Sequence, residues 1–338
     1  MPTNDSYLSS ERSALMRHSF GLLGKLHLLF LAALVLFPQL LFAQWNATIG
    51  AQSADLGRQG LTFLPNEIWI HAGESITWTV EANEPHTVTF LTSDQIRPPF
   101  TVGCPGFSEG SATFDGTNCI TSTLLFKGEK LTVVFPVAGN FKLVCLVHAD
   151  MTGTIHVLDS SQPLPHDQAF YDRAAQSESK DLLRDEDASA PTHHHSGNSV
   201  TVGHGEIAAT GGGSDSLSVM RFTDPDITVH AGHTIEWTND DPSTAHTVTF
   251  GPEPQDLVDP SSNVTNDADG ARHGVLNSPS DSVHSGFIEA APQDRTGLAQ
   301  APSGVTRFRV TFTKPGIYPY ICSLHDVLGM KGTVSVLP

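Results

Sequence analysis

Apolar and polar residues alternate along this chain in short runs. Ile68 and Ile70, then Ile76, Trp78 and Val80, fall on every second position, the period of a strand with one buried face. Residues 87–90, 131–135 and 141–144 follow the same rule, with turn signals at Ala72 and Gly73 and at Gly139 and Asn140. Farther on, residues 227–229, 235–237, 308–312 and 317–321 repeat the pattern. Short alternating runs divided by turn residues predict an all-β chain of antiparallel sandwiches or barrels. The second set of runs also matches the first in sequence. Residues 63–73 align with 222–232, 76–78 with 235–237, 86–90 with 246–250, 139–145 with 316–322 and 151–155 with 330–334. The order is the same in both halves, so the chain carries a duplicated domain and not a short-period solenoid.

This places one domain over residues 44–158, a linker over 159–199 and a second domain over 200–338. The linker is acidic and carries Pro163, Pro165 and Pro191, then the triplet His193, His194 and His195. Residues 167–184 are predicted to form a helix capped by Asp167, with Phe170, Leu182 and Leu183 buried against one domain. Residues 251–304, rich in Asp, Ser, Pro and Asn, read as long surface loops. At the N-terminus Arg12, Arg17 and Lys25 precede an apolar run over 26–43 that ends at Ala43. Residues 1–43 therefore read as an export signal, or as an N-terminal membrane anchor if uncleaved. Either way the rest of the chain is expected outside the cytoplasm, periplasmic or extracellular. With 39% hydrophobic and 16% charged residues the chain is neither a coiled coil nor a disordered tail. Its net charge of −18 repels phosphate backbones and argues against nucleic-acid binding. The same charge favours encounter with a basic partner.

There are only four cysteines but 17 histidines. Cys104 and Cys119 lie in a turn-bounded insertion of the first half. An oxidising compartment favours a disulfide between them, a reduced structural pair being the alternative. One cysteine then remains in each half, at a strand end with a histidine three residues on. The segments read Cys145-x2-His148-x2-Met151 and Cys322-x2-His325-x4-Met330, each preceded by a histidine at a loop–strand junction, His86 and His246. Two imidazoles, one thiolate and one thioether are the donor set of a trigonal copper site with a weak axial Met. Each piece alone has a bland reading: a buried cysteine as a small hydrophobe or an intermolecular bridge, a methionine as core filler. Zinc fits less well, because structural zinc sites rarely use a thioether. The full set occurring twice in register outweighs these readings. His71 and His230 sit in matching turns and read as structural; His204, His233, His273 and His284 have no evident partner, and the linker triplet is a candidate for loose metal capture.

On these ligand motifs both halves resemble the cupredoxins, the small blue-copper domains typified by plastocyanin, pseudoazurin and amicyanin. The second half's longer ligand loop is similar to that of plastocyanin, the first half's shorter loop to that of amicyanin. The resemblance implies two tandem cupredoxin-like Greek-key β-sandwiches joined by an acidic, partly helical linker. It implies copper as cofactor, in two type-1 sites, with His86, Cys145, His148 and Met151 as one ligand set and His246, Cys322, His325 and Met330 as the other. It further implies that His148 and His325 present an imidazole edge to a docked redox partner; the acidic charge of the chain makes the expected partner one with a basic docking surface, such as a cytochrome c. Plastocyanins carry an aromatic residue directly before the cysteine, whereas this chain has Val144 and Ile321, with Tyr320 one step away. The expected function is thus that of an exported electron carrier cycling Cu(I)/Cu(II), not an enzyme, with contact to a membrane only through an uncleaved N-terminal segment. Copper storage or delivery is the alternative, and an oxidase or nitrite-reductase-like enzyme is a weaker one, because no histidine flanks either cysteine. The unequal ligand loops predict unequal reduction potentials.

Overall fold

The computed structural model describes residues 43–98, 104, 106–184, 198–290 and 305–338. The N-terminal segment and the histidine triplet lie outside the described residues. Among the described residues no helix is long and apolar enough to cross a membrane.

The first half contains strands β1 (Gln44–Gln52), β2 (Arg58–Leu64), β3 (Glu67–His71), β4 (Ser75–Val80), β5 (Thr89–Leu91), β6 (Gly106–Ser108), β7 (Ser111–Thr113), β8 (Ile120–Ser122), β9 (Lys130–Val134), β10 (Gly139–Val144) and β11 (Thr152–Leu158). Helix α1 (Gln168–Arg184) follows. The second half contains β12 (Ser199–Ala209), β13 (Ser214–Thr223), β14 (Asp226–His230), β15 (Thr234–Asp240), β16 (Thr249–Phe250), β17 (Thr265–Asn266), β18 (Arg272–Leu276), β19 (Val283–His284), β20 (Arg307–Phe312), β21 (Gly316–Ile321) and β22 (Lys331–Leu337).

The two halves repeat one topology. In the first, β2–β1–β4–β9–β7 form one layer and β3–β11–β10–β5–β8–β6 the other. In the second, β13–β12–β15–β20–β18–β17 and β14–β22–β21–β16–β19 correspond. Alternation explains the layers: in β11, Gly153, Ile155 and Val157 turn inward while Thr152, Thr154 and His156 do not, and β20 repeats the rule with Phe308, Val310 and Phe312. Each interior is closed by aromatic pairs at matching positions, Trp78 with Phe90 and Trp237 with Phe250, with ring centroids 5.7 and 5.6 Å apart.

The halves do not hang on a free tether. Strand β2 pairs antiparallel with β13, matching Leu61 with Ser216 and Arg58 with Val219, and residues 43–338 form one compact unit. Each half thereby covers an edge of the other's sheet, removing two unpaired strand edges. Helix α1 lies where the sequence placed it, and Asp167 Oδ1 accepts from the Phe170 amide at 2.8 Å as its cap. The buried side chain is not the expected Phe170, which is 39% exposed, but its neighbour Tyr171, 1% exposed. The Tyr171 hydroxyl accepts from the Trp69 amide at 2.8 Å and its ring packs edge-on to Trp45. Leu182 and Leu183 are half-buried. The region expected as long surface loops is only partly loop, because β17, β18 and β19 lie within it and β18 adds to the sheet beside β20. Cys104 and Cys119 form a disulfide, with Cα atoms 5.5 Å apart.

Candidate metal centres

Each candidate ligand is pinned before its side chain does anything. His86 exchanges two backbone hydrogen bonds with Leu125, at 3.0 and 2.8 Å, and His246 does the same with Ile288. The Cys145 amide donates to the Met151 carbonyl at 3.0 Å, and the Cys322 amide to the Met330 carbonyl at 3.1 Å. These bonds fold each ligand loop back on its own strand and hold methionine beside cysteine in the core.

Behind each N-terminal histidine stands a glycine bulge. Gly50 in β1 and Gly203 in β12 have φ of 73° and 68°, and the ladder shifts register at both. A Cβ on Gly50 would lie 2.9 Å from Nε2 of His86, and one on Gly203 would run into the ring of His246. Only glycine allows both the left-handed backbone and the close approach of the imidazole.

The side chains converge. In the first half Nδ1 of His86 and His148 are 3.1 Å apart, and Cys145 Sγ is 3.7 Å from His148 Nδ1. In the second, Nδ1 of His246 and His325 are 3.0 Å apart, with Cys322 Sγ 3.4 Å from His325 Nδ1 and 3.9 Å from His246 Nδ1. All six residues are buried, and neither cysteine is in a disulfide. Each sulfur accepts a backbone amide, from Thr87 at 3.4 Å and from Thr247 at 3.3 Å. The same two threonines accept through Oγ1 from the residue after the cysteine, Leu146 or Ser323.

The electrostatics favour the ligating form at sulfur, and hold on His148, His246 and His325 a proton that a metal would displace. Burial works against both thiolates, yet hydrogen bonds and charge from the paired histidines hold Cys145 and Cys322 well below the usual thiol range. Burial also opposes a proton on His148, but Cys145 and Glu84 raise its pKa to about 9. His325 is raised in the same way, against burial, by the charges of Glu84 and Cys322. The two N-terminal histidines part company: burial lowers His86, whereas Asp241 and Cys322 overcome burial and raise His246. Two imidazole nitrogens and a thiolate, closely gathered and aimed inward from a dry core, fit a soft-to-borderline metal such as copper.

Comparison with known proteins bears on which metal. The family model of copper binding proteins, plastocyanin/azurin family, matches residues 51–158 and again 208–337, together well over half of the chain. The chain belongs to this copper-binding family. Each match takes in one complete His/Cys/His cluster. Among solved structures, amicyanin from Paracoccus versutus (Thiobacillus versutus) is 20% identical, covering 34% of this chain and 81% of its own, with a TM-score of 0.24. Oxidised plastocyanin from Dryopteris crassirhizoma is 22% identical, covering 41% of this chain and 99% of its own, with a TM-score of 0.21. No curated protein matches the chain.

The cupredoxin halves thus bring His86, Cys145 and His148 together, and likewise His246, Cys322 and His325. Met151 and Met330 are fully buried in the same two cores. One implied feature is overturned. His148 and His325 present no open imidazole edge, being 1% and 3% exposed. The half-to-half packing covers them, and both Nε2 atoms meet Glu84. Several other histidines behave as structural groups: His71 Nε2 contacts the Gln162 carbonyl and His230 Nδ1 the Pro338 carbonyl, each at 2.8 Å. Partners also appear for His273, which meets Asp267 and Thr311, and for His284, which meets Thr249. Sequence reasoning missed Glu84, Asp241 and the two bulge glycines. Thr87 and Thr247 did leave a signal, since both follow the ligand histidine in the repeated His-Thr-Val-Thr-Phe string.

Proposed function

We propose that the chain is an exported one-electron carrier holding two type-1 copper ions, one per half. The observation that carries this reading is the paired convergence of two Nδ1 atoms and one amide-bonded Sγ in each cupredoxin core. His86, Cys145 and His148 would hold one ion and His246, Cys322 and His325 the other, with the thioethers of Met151 and Met330 as weak axial donors. Bound copper supplies a one-electron couple between Cu(I) and Cu(II). The chain's own work is to keep the donors in place as the charge changes. Backbone amides of Thr87 and Thr247 offset negative charge on the sulfurs, and the glycine bulges and the His86–Leu125 and His246–Ile288 bridges fix the rings. Val144 and Leu146 flank one cysteine and Ile321 and Ser323 the other, so neither carries the adjacent histidines an oxidase would need. The acidic surface favours a basic redox protein as partner.

Metal analysis and visible spectroscopy on the chain from residue 44 onward test the reading. Two coppers and an intense thiolate-to-copper band are expected, with Cys145→Ser and Cys322→Ser each removing one copper and about half of the band. A chain that takes up copper without such a band would be a storage or delivery protein instead.

A further inference from the structure

Each half turns the outer edge of one ligand histidine toward the other half. His148 and His325 face their own clusters through Nδ1, so their Nε2 atoms point away from the sulfur. Both Nε2 atoms arrive at a single carboxylate. Oε1 of Glu84 lies 3.3 Å from His148 Nε2, and Oε2 of the same residue lies 3.5 Å from His325 Nε2. Glu84 belongs to the first half, two residues before His86, and is only 5% exposed. A buried carboxylate with no partner is strongly unfavourable. Here each oxygen has one ring N–H, so the three groups satisfy one another across the join between the halves. The surroundings agree: Val147 and Ala149 of the first ligand loop line a common cleft with Asp241, Pro242 and Thr244 of the second half.

We propose that Glu84 is a positioning residue that couples the two sites, forming with His148 and His325 a hydrogen-bonded path for one electron between the halves. This rests on the electron-carrier reading above and extends it: the histidine edges exchange electrons with each other, inside the protein. In the transfer one half is oxidised by one electron and the other is reduced by one. No bond to Glu84 forms or breaks, and both ring protons stay on Nε2. The shared carboxylate also makes the sites sense one another. Withdrawing electron density from one imidazole draws the carboxylate toward that ring and loosens its hold on the other. By linkage the effect is mutual. The second half has Thr244 at the position that matches Glu84, so the bridge is single and belongs to the first half.

The test uses the copper-loaded chain, its Glu84→Ala and Glu84→Gln variants, and their metal-free forms. After rapid one-electron reduction, the parent chain should show a first-order redistribution between the sites that does not depend on protein concentration. In Glu84→Ala this phase should slow by about 10–100-fold, the usual range for loss of an outer partner of a metal-bound histidine. Redox titration supplies a readout that mere packing would not move: both midpoint potentials should rise in Glu84→Ala, and each site should cease to respond to the oxidation state of the other. Glu84→Gln has one acceptor oxygen and should keep the contact to one histidine only. In the metal-free chain, nitrogen NMR should show Nε2 of both His148 and His325 shifting in Glu84→Ala, with His86 and His246 little changed; this holds even if that variant loads copper poorly. An unchanged redistribution rate with unchanged potentials, or Nε2 signals insensitive to Glu84, would overturn the coupling and leave the carrier reading intact. A parent chain without two thiolate–copper bands would remove both.

Discussion

The two halves use the same donors and differ in what stands behind them. In the second site Nε2 of His246 meets Asp241 Oδ2 at 3.4 Å, deep in the core. Nε2 of His86 in the first site is buried with no hydrogen-bond partner among the described residues. Asp241 is itself organised, since its Oδ1 accepts from the amides of Ser243 and Thr244 and from the Ser218 hydroxyl. A carboxylate on the far nitrogen makes an imidazole a stronger donor to metal, which matches the opposite displacement of the two histidines, His246 upward and His86 downward. A stronger donor favours the more highly charged ion. The second site should therefore have the lower reduction potential, and the first should be the electron acceptor of the pair. The lesson is that a repeated ligand motif fixes the chemistry of a site, while unrepeated neighbours set its poise.

The sharpest way to break the comparison is at the glycine bulges. Gly203→Ala should displace His246 and abolish copper binding in the second half alone, because the added Cβ meets the ring directly. Gly50→Ala meets His86 at 2.9 Å and should weaken the first site less. Copper counts and the remaining band intensity read both outcomes. Next in size, Asp241→Asn should weaken copper binding in the second half about 10–100-fold and raise its midpoint potential toward that of the first. Competition with a copper chelator and site-resolved redox titration check this. Asp241→Asn keeps the shape of the loop, so a change in potential without loss of folding marks an electronic role.

The smallest effect concerns the seam between the halves. Asp215 in β13 accepts from Asn66 Nδ2 of the first half at 3.3 Å, and burial pushes its carboxyl up to about 6, against hydrogen bonds from Thr62 and Asn66. A carboxyl raised in the folded chain favours the protonated state, so stability is greatest below the ordinary carboxylate pKa near 4. The contribution of Asp215 falls as pH climbs from there to about 6, and Glu178, pushed up to about 7 by burial and by the charge of Asp215, extends the fall to about 7. Asp215→Asn should flatten this part of the profile and raise Tm at neutral pH by a few degrees, on the order set by one or two kcal/mol. Thermal unfolding at pH 4, 5, 6 and 7.5 measures it.

What could be read in the sequence and what could not divides along physical lines. Four of the nitrogen and sulfur donors were legible because Cys145 and His148, like Cys322 and His325, are three residues apart, and His86 and His246 because duplication repeated the string His-Thr-Val-Thr-Phe that each opens. The strands carrying Trp78, Leu131, Trp237 and Phe308 were legible because one buried face imposes a period of two. Pairing of β2 with β13 was not legible, since edge-to-edge contact of two sheets imposes no period on either strand. Nor was the burial of His148 and His325, whose Nε2 atoms meet Glu84 at the join between the halves. Glu84 and Asp241 were hidden for another reason: Glu84 has Thr244 at its matching position, and the residue matching Asp241, Glu81, is exposed, so the repeat that exposed the ligands gave no sign of either role. At α1 the cap at Asp167 was readable, but whether Phe170 or Tyr171 faced inward turned on a hydroxyl finding the Trp69 backbone.

A redox titration of the copper-loaded chain, with Cys145→Ser and Cys322→Ser assigning each step to its half, tests the account most directly. Two one-electron steps are expected, the lower one lost in Cys322→Ser and the higher one lost in Cys145→Ser. Equal potentials, or the reverse order, would contradict the claim that Asp241 sets the second site apart from the first.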